Sequence, residues 1–168
     1  MKNRKRGFSL VELLIVLAVI AALIATITPV ALNAIRKSQA TKVAQNIKTL
    51  AAAIENAAYV NGLSNGRQYI KSGPGIDDNL TGTVANIKLL GRDISENDYG
   101  VWYDIDDYGT IKVAVFSNEA VDFESAKAVL DGLTKTIGDH LSETTAIKLG
   151  TDTTADNSIV YLFEFDVY

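Results

Sequence analysis

No cysteine occurs among the 168 residues, which removes disulfide bridges, thiolate metal sites and cysteine nucleophiles from consideration. Histidine is nearly as scarce: His140 stands alone, so a histidine-rich metal centre and a Ser-His-Asp triad both lack material. A surface or helix-end position explains that residue without chemistry. Proline is limited to Pro29 and Pro74, and there is no internal repeat or low-complexity tract. Of the aromatic residues, only Phe8 and Tyr59 precede residue 62. The others read as sheet core and surface rather than as a continuous stack of rings. With so little reactive material, no enzyme activity, metal or cofactor is expected.

Charge is present but segregated. Residues 1–7 carry four cations and no anion, and residues 8–61 carry four cations against Glu12 and Glu55. Residues 62–168 hold 8 Lys and Arg against 18 Asp and Glu, a net charge of −10. An acidic segment of that kind stays soluble and repels polyanions. Direct DNA binding is therefore not expected, because neutralising phosphates supplies most non-specific affinity.

Hydropathy is segregated too. Residues 13–35 contain no charged residue, a run of 23, enough to cross a hydrocarbon core that needs about 20. In front of it stand Lys2, Arg4, Lys5 and Arg6, then Gly7, and the first turn of the apolar segment holds one carboxylate, Glu12. A charge near an apolar span is costly and points to a function. Three simpler readings compete. A secretory signal has an apolar region of about 7–15 residues, shorter than this one, and Leu32-Asn33-Ala34 makes a poor small-x-small cleavage site. A plain signal anchor leaves Glu12 unexplained, and a buried core helix does not require four leading cations. Counting cations orients the span only weakly, since four also follow it. The leading ones are packed into five positions and the following ones spread over thirteen, which favours a cytoplasmic N-terminus.

Arg6-Gly7-Phe8-Ser9-Leu10-Val11-Glu12-Leu13-Leu14-Ile15 resembles the processing site of type IV prepilins and pseudopilins. The resemblance covers residues 1 to about 35 and extends more weakly over the rest. It implies cleavage between Gly7 and Phe8 by a membrane prepilin peptidase and N-methylation of Phe8. It also implies that Glu12, the fifth residue of the mature chain, meets the N-terminus of a neighbouring subunit. Pro29, twenty-one residues after Phe8, stands where many type IV pilins have proline, which implies local unwinding between Ala21 and Pro29 on assembly. The implied partners are further copies of the chain, related pilins, the peptidase and a membrane assembly platform. The implied location is the bacterial cytoplasmic membrane for the precursor and an extracellular filament for the product. A pseudopilin of a type II secretion or competence system is the alternative within the family. A membrane-anchored binding domain that never polymerises is the alternative outside it.

The expected fold is α+β: a long N-terminal hydrophobic helix whose C-terminal half packs on an antiparallel β-sheet. Four segments follow: a removable leader (1–7), a membrane and filament-core helix (8–34), an amphipathic half (35–61) and an acidic globular domain (62–168). The whole of 8–61 reads as one helix, possible interruption aside, about 80 Å long at 1.5 Å per residue. Ile35, Val43, Ile47, Leu50 and Ile54 recur on one face, and Asn61-Gly62 provides the stop. Residues 62–82, with Ser72-Gly73-Pro74-Gly75, read as loop, and 84–90 as a short helix or strand. Residues 101–105 and 110–116 are β-rich runs joined by Asp106-Asp107-Tyr108-Gly109, a hairpin pattern. Phe123, Ala126, Val129, Leu130, Leu133 and Ile137 predict a second helix ending at Gly138, and 159–165 a closing strand. Asp104, Asp106 and Asp107 faintly suggest a calcium loop, but Val115 stands where an EF-hand needs glutamate. Asp152, Asp156 and Asn157 are the remaining, weak calcium candidates.

Overall fold

Residues 10 to 61 form one helix. In the computed structural model, which describes residues 8–64, 66–73, 76–79, 87–141, 145–151, 154–155 and 158–167, α1 (Leu10–Asn61) runs uninterrupted for 52 residues. Its first three-fifths are exposed on every side. From Ala40 onward one face is buried: Ala40, Val43, Ala44, Ile47, Leu50, Ala51, Ile54 and Ala58. Those positions recur every three or four residues, the spacing of a single helix face. Val43, Ile47, Leu50 and Ile54 are completely buried. At about 1.5–3 kcal/mol for each large apolar side chain, their burial rivals the whole stability of an ordinary domain. The upper half of α1 is thus part of the core and does not detach from it. Ile35, expected on the same face, is instead 54% exposed, because close packing of the domain on the helix begins only at Ala40. The helix ends at Gly62, whose φ of 73° and extended ψ suit glycine alone, while its N–H still donates to the Ala58 carbonyl at 3.0 Å.

Behind the helix lies a five-stranded antiparallel sheet. In chain order its strands are β3 (Tyr99–Ile105), β4 (Thr110–Ser117), β5 (Leu133–Thr134), β6 (Ile147–Gly150) and β7 (Ile159–Asp166), and their spatial order is β5-β7-β4-β3-β6. The expected β3–β4 hairpin and closing strand are both present, with Val101 opposite Val115 and Val113 opposite Phe163. Asp106 organises the hairpin turn: its carboxylate accepts from the N–H groups of Tyr108 at 2.9 Å and Thr110 at 2.8 Å. A small ribbon, β1 (Lys71–Gly73) with β2 (Ile76–Asn79), occupies part of the stretch expected to be loop, and β1 packs against α1. Ile87–Leu90 is a single-turn helix, α2, so the described part of the segment expected as helix or strand over 84–90 is helical, and 84–86 lie outside the described residues.

Side chains alternate across the sheet, so it has two cores. Tyr99, Val101, Tyr103, Ile111, Val113, Val115, Leu149 and Ile159 face α1. Trp102, Ala114, Phe116 and Val160 face the other way, beneath Ile137 and Leu141. The Trp102 and Phe116 rings meet edge to face at 5.1 Å. Gly100 makes room for this layer, since a Cβ there would lie 2.3 Å from the Phe116 ring.

The expected helix over 123–137 is not there. Only Phe123–Lys127 is helical (α3), Gly132 has a φ of 82°, and Leu133–Thr134 adds to the edge of β7. The apolar residues that mimic a helical period are divided between layers. Ala126 and Leu133 join the α1-side core, Ile137 crosses to the outer one, and Val129 stays exposed. A strand edge in need of a partner and a glycine that breaks the helix outweighed the local pattern. His140 ends a short 3₁₀ turn (Gly138–His140), with Nε2 at 3.2 Å from the Phe163 carbonyl. A carbonyl only accepts, so that nitrogen carries the proton, and the ring covers part of the exposed β7 edge.

Candidate functional site

The features that the sequence singles out lie along α1, and the helix sets their spacing. At its start Ser9 is the N-cap, in extended conformation, and its N–H donates to the Glu12 carboxylate at 2.9 Å. A carboxylate in the first turn also faces the positive end of the helix dipole. In the isolated chain Glu12 therefore satisfies one of the four N–H groups that a helix leaves unpaired. The Ser-x-x-Glu spacing is that of a capping box. Phe8 is almost wholly exposed one residue earlier. Gly7 lies outside the described residues, as do Asp152, Asp156 and Asn157.

From Leu10 to Ile35 the exposed surface is a sleeve of leucine, isoleucine and valine, with no side buried against the rest of the protein. Such a segment is apolar all round and finds its partners in lipid or in other helices. Its two threonine hydroxyls of the middle are not left open. Thr26 donates to the Leu23 carbonyl at 2.9 Å and Thr28 to the Ile24 carbonyl at 2.7 Å. Pro29 follows directly and lacks an N–H for the carbonyl of Ala25. Back-bonding hydroxyls weaken and bend helices slightly, so the least secure turn of α1 is the one just before Pro29. The helix nevertheless passes through Pro29 without a break.

Polar groups secure the junction between α1 and the sheet. Asn46 donates through Nδ2 to the Tyr99 hydroxyl at 3.1 Å. The Tyr103 hydroxyl accepts from the buried N–H of Ile70 at 3.2 Å, and Asn61 donates to the Lys71 carbonyl at 3.0 Å. Burial pushes the Tyr99 and Tyr103 hydroxyls well above the usual phenol range, so both stay protonated donors in neutral solution. Sequence reasoning missed these contacts, because nothing local marks a helix asparagine as the partner of a tyrosine 53 residues away.

Among the described residues, no group of three or more His, Asp or Glu side chains could hold a metal ion. Asp106 spends its carboxylate on the hairpin turn, and those hydrogen bonds, chiefly from Thr110, hold it below the usual carboxylate range.

Residues 2–28 match the family described as the prokaryotic N-terminal methylation motif, the class III signal peptide of type IV pilins and pseudopilins. No curated protein and no solved structure matches the chain. The motif, together with the α+β architecture, supports a pilin-like or pseudopilin-like precursor, and the apolar helix that follows fits a membrane anchor. Proteins carrying this motif are structural subunits rather than catalysts.

Proposed function

We propose that the chain is the structural subunit of a type IV pilus filament. It enters the membrane as a precursor with a cytoplasmic N-terminus and is cleaved between Gly7 and Phe8. Phe8 is then N-methylated, and the product polymerises through α1. One observation carries the reading: the methylation motif opens a single helix that is bare and apolar for its first half and locked into an acidic domain for its second. A helix of this kind, bundled with its copies, leaves the acidic domains coating the outside.

Glu12 has a particular part in that assembly. Cleavage creates a cationic amine at Phe8, and in an apolar bundle both that amine and the Glu12 carboxylate need a partner. A buried pair need not add net stability, but it selects register, because only one axial stagger brings the opposite charges together. The surface filament is tested by shearing cells, imaging the released material and measuring the N-terminal mass of its subunit. N-methylated Phe8 in a filament is the expected result, and a mature chain beginning elsewhere refutes the reading. Lost secretion or transformation, with the same N-terminus but no surface filament, assigns the chain to a pseudopilus instead.

A further inference from the structure

Where α1 leaves its apolar sleeve, a cleft of about 680 Å³ opens between the helix and the loop leading into α3. Its helix wall is Asn33, Arg36, Lys37 and Gln39, and the opposite wall includes Asp122 and Ser125. Asn33, Arg36 and Lys37 fall at i, i+3 and i+4, on one helix face. One turn further, that face carries Ala40 into the core, completely buried. The stripe that meets the domain is thus apolar from residue 40 onward and polar or cationic just below it. The domain overhangs this polar part without packing on it. All four helix-wall residues are exposed, and among the described residues neither Arg36 nor Lys37 forms a salt bridge.

Height along the helix supplies the second half of the argument. The charge-free run of 23 residues spans about 35 Å, just over the roughly 30 Å of a hydrocarbon core. Arg36, the next residue, therefore emerges among the headgroups, and the cleft opens onto them with the domain as its roof. Two cations stand on one wall and a carboxylate on the other: Asp122, which accepts from the Ser125 N–H at 2.8 Å and feels the charge of Arg36. That arrangement complements a zwitterion more closely than a simple anion.

We infer that this cleft binds the headgroup of a membrane phospholipid, with its phosphate on Arg36 and Lys37 and a primary ammonium on Asp122. Asn33 and Gln39 add amide donors to the phosphate oxygens. The bound lipid ties the acidic domain to the membrane surface and fixes its tilt while the precursor waits for assembly. This inference rests on the membrane-anchored reading of α1, and its test separates the two.

The full-length chain, solubilised in detergent and freed of lipid, is titrated with short-chain phosphatidylethanolamine while backbone amide shifts are followed by NMR. Saturable shifts confined to residues 33–39 and 120–125 are expected. The double variant R36Q/K37Q should bind about 30-fold more weakly, at about fivefold for each cation near a headgroup. D122N keeps an oxygen to cap Ser125, so its fold is preserved. It should erase the preference for phosphatidylethanolamine over phosphatidylglycerol and retain phosphate binding. Inorganic phosphate or glycerophosphoethanolamine binding as tightly as the lipid would identify a free-phosphate site and overturn the inference, as would unchanged affinity in R36Q/K37Q. Flotation with phosphatidylcholine vesicles is run in parallel. A chain that floats yet shows no saturable shifts defeats the headgroup inference alone, whereas one that does not float defeats the membrane reading and the inference with it.

Discussion

Replacing Glu12 separates two roles that predict different magnitudes. In the single chain the recorded contact of its carboxylate is the Ser9 N–H at 2.9 Å, at an exposed helix start. Losing a cap and a favourable dipole interaction there costs about 0.3–1 kcal/mol, or about two- to fivefold in any equilibrium that depends on it. If Glu12 instead neutralises the Phe8 amine of a neighbour inside an apolar bundle, its removal strands a buried cation in every subunit. That costs about 3–5 kcal/mol, or from about a hundredfold to several thousandfold in the subunit concentration needed for assembly. Two substitutions distinguish the roles. Glu12→Ala removes both cap and charge, whereas Glu12→Gln keeps an oxygen that accepts from Ser9 and removes only the charge. Pairing predicts that both variants insert and are processed normally, yet both vanish from filaments. Capping alone predicts that Glu12→Gln behaves as the native chain. The assay uses each variant as the sole copy in the cell and compares its amounts in sheared filaments and in the membrane, with the mature N-terminus verified by mass. Glu12→Gln subunits in filaments within about fivefold of the native level would refute the pairing argument.

Three further outcomes are expected. Pro29→Ala restores a donor for the Ala25 carbonyl and should stiffen that turn, changing filament yield, extension or symmetry while membrane insertion stays intact; filaments unchanged in all three would reduce Pro29 to a tolerated interruption. Tyr103→Phe removes the hydroxyl that accepts from the fully buried Ile70 N–H and should destabilise the domain by about 1–3 kcal/mol in denaturant titrations, with little change in fold. Asp106 has its folded pKa lowered, so its hold on the hairpin turn is complete above the ordinary carboxylate range and is lost as the pH falls through that lowered value. Amide exchange at Tyr108 and Thr110 should accelerate over that acid window, and Asp106→Asn, which keeps the acceptor without the titration, should abolish the dependence.

What could be read from the chain alone follows the range of the forces involved. The N-terminal third is governed by local composition, so its helix, its stop at Gly62 and its motif were all visible as strings of residues. The β3–β4 hairpin was visible for the same reason, because Asp106 and Gly109 carry their turn chemistry within four residues. Leu133 and Ile137 were misread because their destination is decided by β7, which comes more than 20 residues later. Strand β6 was missed outright: Ile147–Gly150 is short, and only its pairing with β3 makes it a strand. Ile35 fits the periodicity of the packed face but falls below the stretch where the domain packs closely, and a helical wheel has no information about where a packing partner ends. At the start of α1, the Glu12 carboxylate was evident, whereas its Ser9 partner needed the capping geometry to be recognised.

The continuity of α1 links its two halves in a way neither surface could alone. Residues 40–58 are fixed in rotation by their burial against the sheet, with four alanines allowing the helix close to the strands. Because no break intervenes between Leu10 and Asn61, that rotation carries through to the apolar sleeve. Each residue advances the helix by about 100° and 1.5 Å. The direction in which Glu12 and the sleeve's residues point is therefore set, residue for residue, by packing that lies tens of ångströms away. A flexible joint in the middle would leave the domain free to choose its neighbours and the helix free to choose its own. In the proposed filament a continuous helix makes the two choices one, so that a stagger satisfying the charges at the N-terminus would also fix how the acidic domains meet. The weakened turn before Pro29 is the one place within the sleeve where that coupling can relax, and it lies below the domain, where unwinding disturbs none of the buried contacts.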